Sequence, residues 1–498
     1  MTRGLVLALL VCALAATPVV AQQIAVDYHD ESAMPEGTEG ARIQLLLDAV
    51  NENDVELATR FHEEHLSAEF KEQFPLGVFI ETFRDIVRET GGIDFHGIRT
   101  YEPPRDDHTV VIFKDRNYES WQAFVFAYAE GTKPDGPLVR LGVAPARTPT
   151  NVEPEGPLTE EEAISRAAAF VERLCERDLF SGTVLVARED DVLFEHSCGE
   201  ASKRFHAPID MDTKFNIGSM NKMFTATAVM QLVEQGILCV HDTIDAYVDT
   251  TWLPRDITGR VAIKHLLSHT SGLGSYFNDT FMNGSRLRWR ELDDYRDLVV
   301  GDTLAFEPGT DWQYSNTGMF LLGVVIESVT GENYFDYMRQ NVYGPAGMED
   351  TDCYDMDCPV ENLAVGYWRS GDCPSGWKNN YYEHVVRGGP AGGGFSTARD
   401  LHRFARAMQT GALVSRDYLE PMWTVQFDRG GPGGYGYGFG VDDGPAGRVV
   451  GHSGGFTGIN ANLDIFLDSG YVSAVLTNYD MAASPVASKI KQLLARVE

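Results

Sequence analysis

The spacing of apolar residues changes several times along the chain. Between Glu39 and Thr90, Ile43, Leu46, Leu47 and Val50 recur at intervals of three and four, as do Val78, Phe79, Phe83, Ile86 and Val87. That period predicts helices. The runs HTVVIFKD, SWQAFVFAY and PLVRLGVAP follow, rich in β-branched and aromatic residues and parted by turn residues such as Lys133-Pro134-Asp135-Gly136. They predict an antiparallel meander. After a proline-rich stretch the pattern starts afresh: a helical period over 160–176, then the strand-like GTVLVARED and DVLFEHSCG. The chain ends with ANLDIFLDSGYVSAVLTN, read as two strands about Asp468-Ser469-Gly470, and a helix through Val486, Ile490, Leu493 and Leu494. A sheet built from both ends of this second region, with helices between, is expected.

The stretch APARTPTNVEPEGP carries almost no large apolar residue and reads as a connection between domains. The expected organisation is an α+β chain with a small domain over 25–147, a linker over 148–157 and a main domain over 158–498. At 498 residues the chain exceeds what one core usually serves, and 43% hydrophobic residues supply two. The element order of the first domain, helices then a meander, resembles the nuclear-transport-factor-2-like fold. Its histidines, His62, His65, His96 and His108, are scattered and read as solvated or structural.

Residues 1–21 place Arg3 before an apolar run from Leu5 to Ala16 and end on small residues, Val19 and Ala21. This is the pattern of a cleaved secretory signal peptide. The apolar run is too short for a bilayer, which needs about 20 residues. A secreted or periplasmic protein without membrane insertion is expected. In an oxidising compartment the six cysteines beyond Cys12 can pair, and the cluster Cys353, Cys358 and Cys373 is the expected place for a disulfide. That cluster lacks zinc-ribbon spacing, and no metal is expected. A net charge of −32 argues against nucleic acid and anionic membranes as partners.

Three short stretches carry chemistry. FNIGSMNK sets Ser219 three residues before Lys222, so the two project from one helical face, and Gly218 permits a tight turn ahead of them. A serine hydroxyl needs a base, and a lysine serves as one only when burial or a neighbouring cation lowers its pKa. WQYSNTGMFLLGVVIE places Tyr314, Ser315 and Asn316 at the start of an apolar helix. A tyrosine there can relay a proton and an asparagine can bind a carbonyl. GRVVGHSGGFTG sets His452 and three glycines after a short apolar run, suiting close backbone approach.

In this order the three stretches resemble the serine β-lactamase and penicillin-binding protein family, with signatures S-x-x-K, Y-x-N and H-x-G. HLLSHTSGL, FEPGTDWQYSN and GGGFSTARDLHRFARAM resemble its class C-related branch. The resemblance implies a β-lactamase-like α/β domain over 158–498: an antiparallel sheet flanked by helices, with a helical subdomain. It implies Ser219 as nucleophile, Lys222 and Tyr314 sharing the proton traffic, and Asn316, His452 and Gly454 contacting substrate. Backbone N–H groups of Ser219 and Gly455 would form the oxyanion hole, with no cofactor and no metal. His269, inside HLLSHTSGL, is expected to support the fold.

The expected activity is acyl transfer to water from esters or small amides, including D-amino-acid peptides. A β-lactamase or D-Ala-D-Ala carboxypeptidase is the alternative, and a non-catalytic binding protein the alternative of another class. Histidine in place of lysine in the third motif weakens any demand for a substrate carboxylate. The expected partner is a small-molecule or peptide substrate; oligomeric state is not legible.

Overall fold

The computed structural model describes residues 27–104, 107–153, 155–431 and 433–498. The expected signal segment, residues 1–21, lies outside these. The chain divides into two compact units, the first ending at Gly156 and the second running Pro157–Glu498.

In the first unit, strand β1 (Asp27–Glu31) precedes helices α1 (Gly37–Glu52), α2 (Val55–His65), α3 (Ala68–Gln73) and α4 (Leu76–Thr90). Strands β2 (Ile93–Glu102), β3 (His108–Asp115), β4 (Trp121–Tyr128) and β5 (Leu138–Pro145) complete it. The five strands form one antiparallel sheet in sequence order. Ile43, Leu46, Leu47 and Val50 from α1 and Phe79 and Phe83 from α4 are buried against Phe113, Phe124 and Phe126 of the sheet. These are the residues whose spacing predicts the helices.

Strand β2 has no counterpart in the sequence reading. A bulge between Phe95 and Gly97 breaks its alternation. A side chain at Gly97 would meet the carbonyl oxygen of Glu31 at 2.2 Å, so the strand gives up a patterned residue to let β1 approach. Part of the expected linker also belongs to this unit. Asp30 and Arg99 form a buried ion pair (2.8 Å), Arg99 donates to the Arg147 carbonyl (2.9 Å), and the Thr150 amide donates to Asp30 (3.0 Å).

The second unit opens with α5 (Glu160–Glu176), β6 (Gly182–Arg188) and β7 (Asp191–Cys198). Its middle contains α6 (Asn221–Glu234), α7 (Asn316–Thr330) and α8 (Ala398–Gln409). It closes with β8 (Gly433–Tyr435), β9 (Gly440–Gly444), β10 (Gly447–Phe456), β11 (Ile459–Phe466), β12 (Tyr471–Thr477) and α9 (Ala483–Leu494). The main sheet runs β8-β9-β10-β11-β12-β6-β7, all antiparallel, so strands from both ends meet where Tyr471 pairs with Arg188.

Helix α9 lays Val486, Ile490 and Leu493 on this sheet, alongside α5. Helices α6 and α7 are buried around most of their circumference and form the centre of the helical layer. Among the described residues, no helix is long and apolar enough to cross a membrane.

The disulfide departs from expectation. Cys175, at the end of α5, is bonded to Cys198, at the end of β7, while Cys353, Cys358 and Cys373 are free. Proximity in sequence misleads because Cys353 is buried in the interior, where Asn221 donates to its sulfur (3.2 Å). Antiparallel pairing of β6 with β7 instead brings Cys198 back beside the end of α5.

Candidate active site

The first motif does not begin a helix directly. Gly218, Ser219 and Met220 make a 3-10 turn, and α6 starts at Asn221. Gly218 has φ +50°, a backbone conformation that disfavours side chains. A Cβ there would also stand 2.9 Å from the Gly455 amide nitrogen. A Cβ on Gly454 would meet the Ile217 carbonyl oxygen at 1.9 Å and the Ser219 amide nitrogen at 3.1 Å. Two bare glycines thus let the tip of β10 press against the turn, backbone to backbone. The amides of Ser219 and Gly455 come together as a pair of donors suited to an oxyanion. Gly454 itself holds this contact, and its carbonyl accepts from Asn460 (3.2 Å).

Lys222, one helical turn beyond Ser219, is fully buried, with Nζ 3.1 Å from Ser219 Oγ. Nζ also donates to the Ala391 carbonyl (2.5 Å) and lies 4.9 Å from the centre of the Tyr314 ring. Burial holds its pKa well below 10.5. The loop that supplies the Ala391 carbonyl is fixed by Asn221, which donates to Gly389 O (3.2 Å) and accepts from the Gly394 amide (3.1 Å).

The Tyr314 phenol is a neighbour of Ser219, and burial raises its pKa to about 12. Environment thus separates the two candidate bases: burial favours a neutral amine at Lys222 and a neutral phenol at Tyr314.

Ser315 caps α7, accepting from the Gly318 amide (2.8 Å), and donates to Gly274 O (2.9 Å). That cap leaves half-buried Asn316 at the helix lip, where its amide donates to Ser275 Oγ (3.1 Å). His269 supports this arrangement. At φ +61°, its Nδ1 accepts from the Ser315 amide (3.2 Å), its carbonyl accepts from the Gln313 amide (2.9 Å), and its ring packs 4.4 Å from that of Tyr314.

The third motif lies on β10, an interior strand of the sheet. His452 Nδ1 is 2.5 Å from the Ser453 carbonyl oxygen, which can only accept, so Nδ1 carries the proton. Nε2 is 2.9 Å from the Tyr435 hydroxyl and accepts from it. Burial, the largest cause, lowers the His452 pKa to about 3. The imidazole is neutral, and both its nitrogens are occupied.

The structure thus gathers Ser219, Lys222, Tyr314, Asn316, His452, Gly454 and Gly455 about one cleft. It adds residues that the motifs do not reveal: Tyr435, Asn221, Ser275 and the Ala391 carbonyl. Only Tyr435 has a visible signal, an aromatic residue set among the glycines of GGYGYGFG.

Residues 166–496 match the family described as Beta-lactamase. The chain belongs to that family. Its residues are 32% identical over 320 positions to penicillin-binding protein 4* of Bacillus subtilis, covering 62% of this chain and 70% of the relative. They are 34% identical over 216 positions to esterase EstB of Burkholderia gladioli, covering 40% and 53%. Among solved structures, the penicillin binding protein of Bacillus halodurans superposes with a TM-score of 0.60 at 30% identity, covering 65% of this chain and 98% of that one. This beta-lactamase-family chain is a serine hydrolase that transfers acyl groups.

Proposed function

We propose that Ser219 attacks the carbonyl of an ester or small amide, D-amino-acid peptides included, and that the resulting acyl-enzyme is hydrolysed. Lys222 takes the serine proton, since burial favours its free amine; Tyr314, a phenol with a pKa raised to about 12, returns a proton to the leaving group. The amides of Ser219 and Gly455 hold the oxyanion, each worth about 3 kcal/mol in the transition state. Asn316 binds the acyl side of the substrate. Water then retraces the path, with the same groups moving its proton. Secretion fits the pattern of residues 1–21.

The observation that carries the substrate class is the state of His452. Neutral because it is buried, and with its nitrogens taken by Tyr435 and the Ser453 carbonyl, it offers no cation and no free N–H to a substrate carboxylate. The esterase relative supports this reading; the penicillin-binding relatives keep a β-lactamase or peptidase activity in view.

Two measurements test it. The initial rate of p-nitrophenyl butyrate hydrolysis should vanish in Ser219→Ala, and equal rates from both proteins would remove Ser219 as nucleophile. A penicillin and its carboxylate methyl ester should acylate the enzyme at similar rates. A strong preference for the free acid, or rapid turnover of a chromogenic cephalosporin, would favour the β-lactamase reading.

A further inference from the structure

The rings of Phe277 and Phe456 stack across one end of the cleft, with centroids 5.9 Å apart and planes 23° from parallel. They come from opposite walls. Phe456 ends β10 and directly follows Gly455, one of the two amides facing the reacting carbonyl. Phe277 belongs to the loop after Gly274, and its amide donates to Ser275 Oγ, the same oxygen that receives the Asn316 amide. Both rings are therefore one or two residues from groups assigned to the acyl half of the substrate.

The Phe277 wall is braced from behind. Its ring packs on Tyr276 (4.7 Å) and Phe281 (4.8 Å), and buried Tyr276 packs in turn on Phe320 of α7 (5.6 Å). Phe277 nevertheless keeps 39% of its surface exposed, and Met282 and Leu287 farther along the same segment expose 56% and 65%. An apolar lip is unusual beside a polar reaction centre on a chain of net charge −32.

We propose that Phe277 and Phe456 form the wall of an acyl pocket that takes an apolar acyl chain and sets the enzyme's preference for chain length. This rests on the proposed acyl-enzyme function. A chain extending from the acyl carbonyl beyond Asn316 meets the exposed part of this ring pair, and each methylene it shields contributes about a fourfold gain in kcat/KM. A charged acyl group gains nothing from this apolar surface.

The test measures kcat/KM for p-nitrophenyl acetate, butyrate and octanoate with the wild-type chain, Phe277→Ala, Phe456→Ala and Phe277→Leu. In the wild type, the ratio of butyrate to acetate should be about sixteenfold, for two further methylenes. It should fall to threefold or less in either alanine variant, and Phe277→Leu, which keeps apolar bulk, should recover part of it. A ratio unchanged in both alanine variants, or a uniform fall across all three esters, would overturn the proposal while leaving Ser219 chemistry intact. A wild-type chain inert towards all three esters, or as active after Ser219→Ala, would overturn the parent reading and this one together.

Discussion

Replacing Gly454 by alanine tests whether the backbone contact between β10 and the 217–219 turn sets the catalytic rate. The added methyl would lie 1.9 Å from Ile217 O, whereas real Cβ contacts are essentially never below 3.0 Å. The two backbones must part by about 1 Å, and neither yields easily. The Ile217 amide is bonded to Gly394 O (2.9 Å), and Gly454 is paired with Ala461 inside the sheet. A shift of that size misplaces the Ser219 and Gly455 amides, which must stand about 2.7–3.1 Å from the developing oxyanion. Misplacement by 1 Å costs about 10²-fold, in line with about 3 kcal/mol for one lost donor.

The expected result is a kcat for p-nitrophenyl butyrate about 10²-fold lower with little change in KM, because the donors act on charge that exists only in the transition state. Relaxation around one methyl in a tight site costs about 1–3 kcal/mol, so Tm should fall by only a few degrees. Thermal melts by circular dichroism check this. Gly301→Ala is the control, having nothing within 4 Å of its Cβ. A kcat within threefold of wild type would refute the reasoning, as would a raised KM at constant kcat, which would make Gly454 a ground-state contact.

Other variants probe charge and stability. Lys222→Met should lower kcat by about 10³-fold or more. Its stability has a definite sign: the folded pKa of Lys222 lies below 10.5, so between the two the unfolded chain holds a proton that the folded chain lacks. Wild-type stability should therefore rise through that window up to pH 10.5 and the variant should lack this rise; parallel Tm profiles at pH 7 and 10 would contradict it. Since the His452 pKa is lowered to about 3, the wild-type ratio of kcat/KM for a free-acid penicillin to that for its methyl ester should be flat from pH 5 to 8. His452→Lys should raise that ratio about tenfold, the worth of one charge-assisted hydrogen bond; a steep wild-type profile would mean that His452 titrates. Cys175→Ala with Cys198→Ala should cost about 3 kcal/mol for a bridge spanning 23 residues, read from denaturant melts. A non-reducing peptide map that links Cys353, Cys358 or Cys373 instead would refute the assigned pairing.

Local chemistry was the most legible part of this chain. Ser219 and Lys222 are close in sequence, Asn316 sits at a helix start, and the helices of both units bury the residues whose period announced them. What escaped depends on contacts between distant segments. Tyr435 and His452 meet because β8, β9 and β10 are consecutive antiparallel strands, and nothing in a glycine-rich run shows which aromatic faces the histidine. The Ala391 carbonyl reaches Lys222 only because Asn221 anchors the loop on both sides. The disulfide shows the same limit from the other direction: three cysteines near in sequence drew attention, while the bonded pair is set by the turn from β6 to β7.

The electrostatics of the site join these missed contacts to its chemistry. Lys222 is useful as a base only while its ammonium is disfavoured, and burial alone accounts for its depression, with no carboxylate opposing it. A second cation facing the cleft from β10 would favour the free amine further, and it would also attract carboxylate-bearing substrates. The chain takes another course: burial keeps His452 neutral, and the Tyr435 hydroxyl and the Ser453 carbonyl occupy both its nitrogens. On the proposed reading, depressing the base and recognising an anion are thereby separated, the first left to burial and the second not supplied by His452. A surface of net charge −32 acts in the same sense by repelling anions at long range. Near and far fields together would favour an acyl donor without a carboxylate, and on the proposed reading its discrimination would come from shape and apolar contact at Phe277 and Phe456.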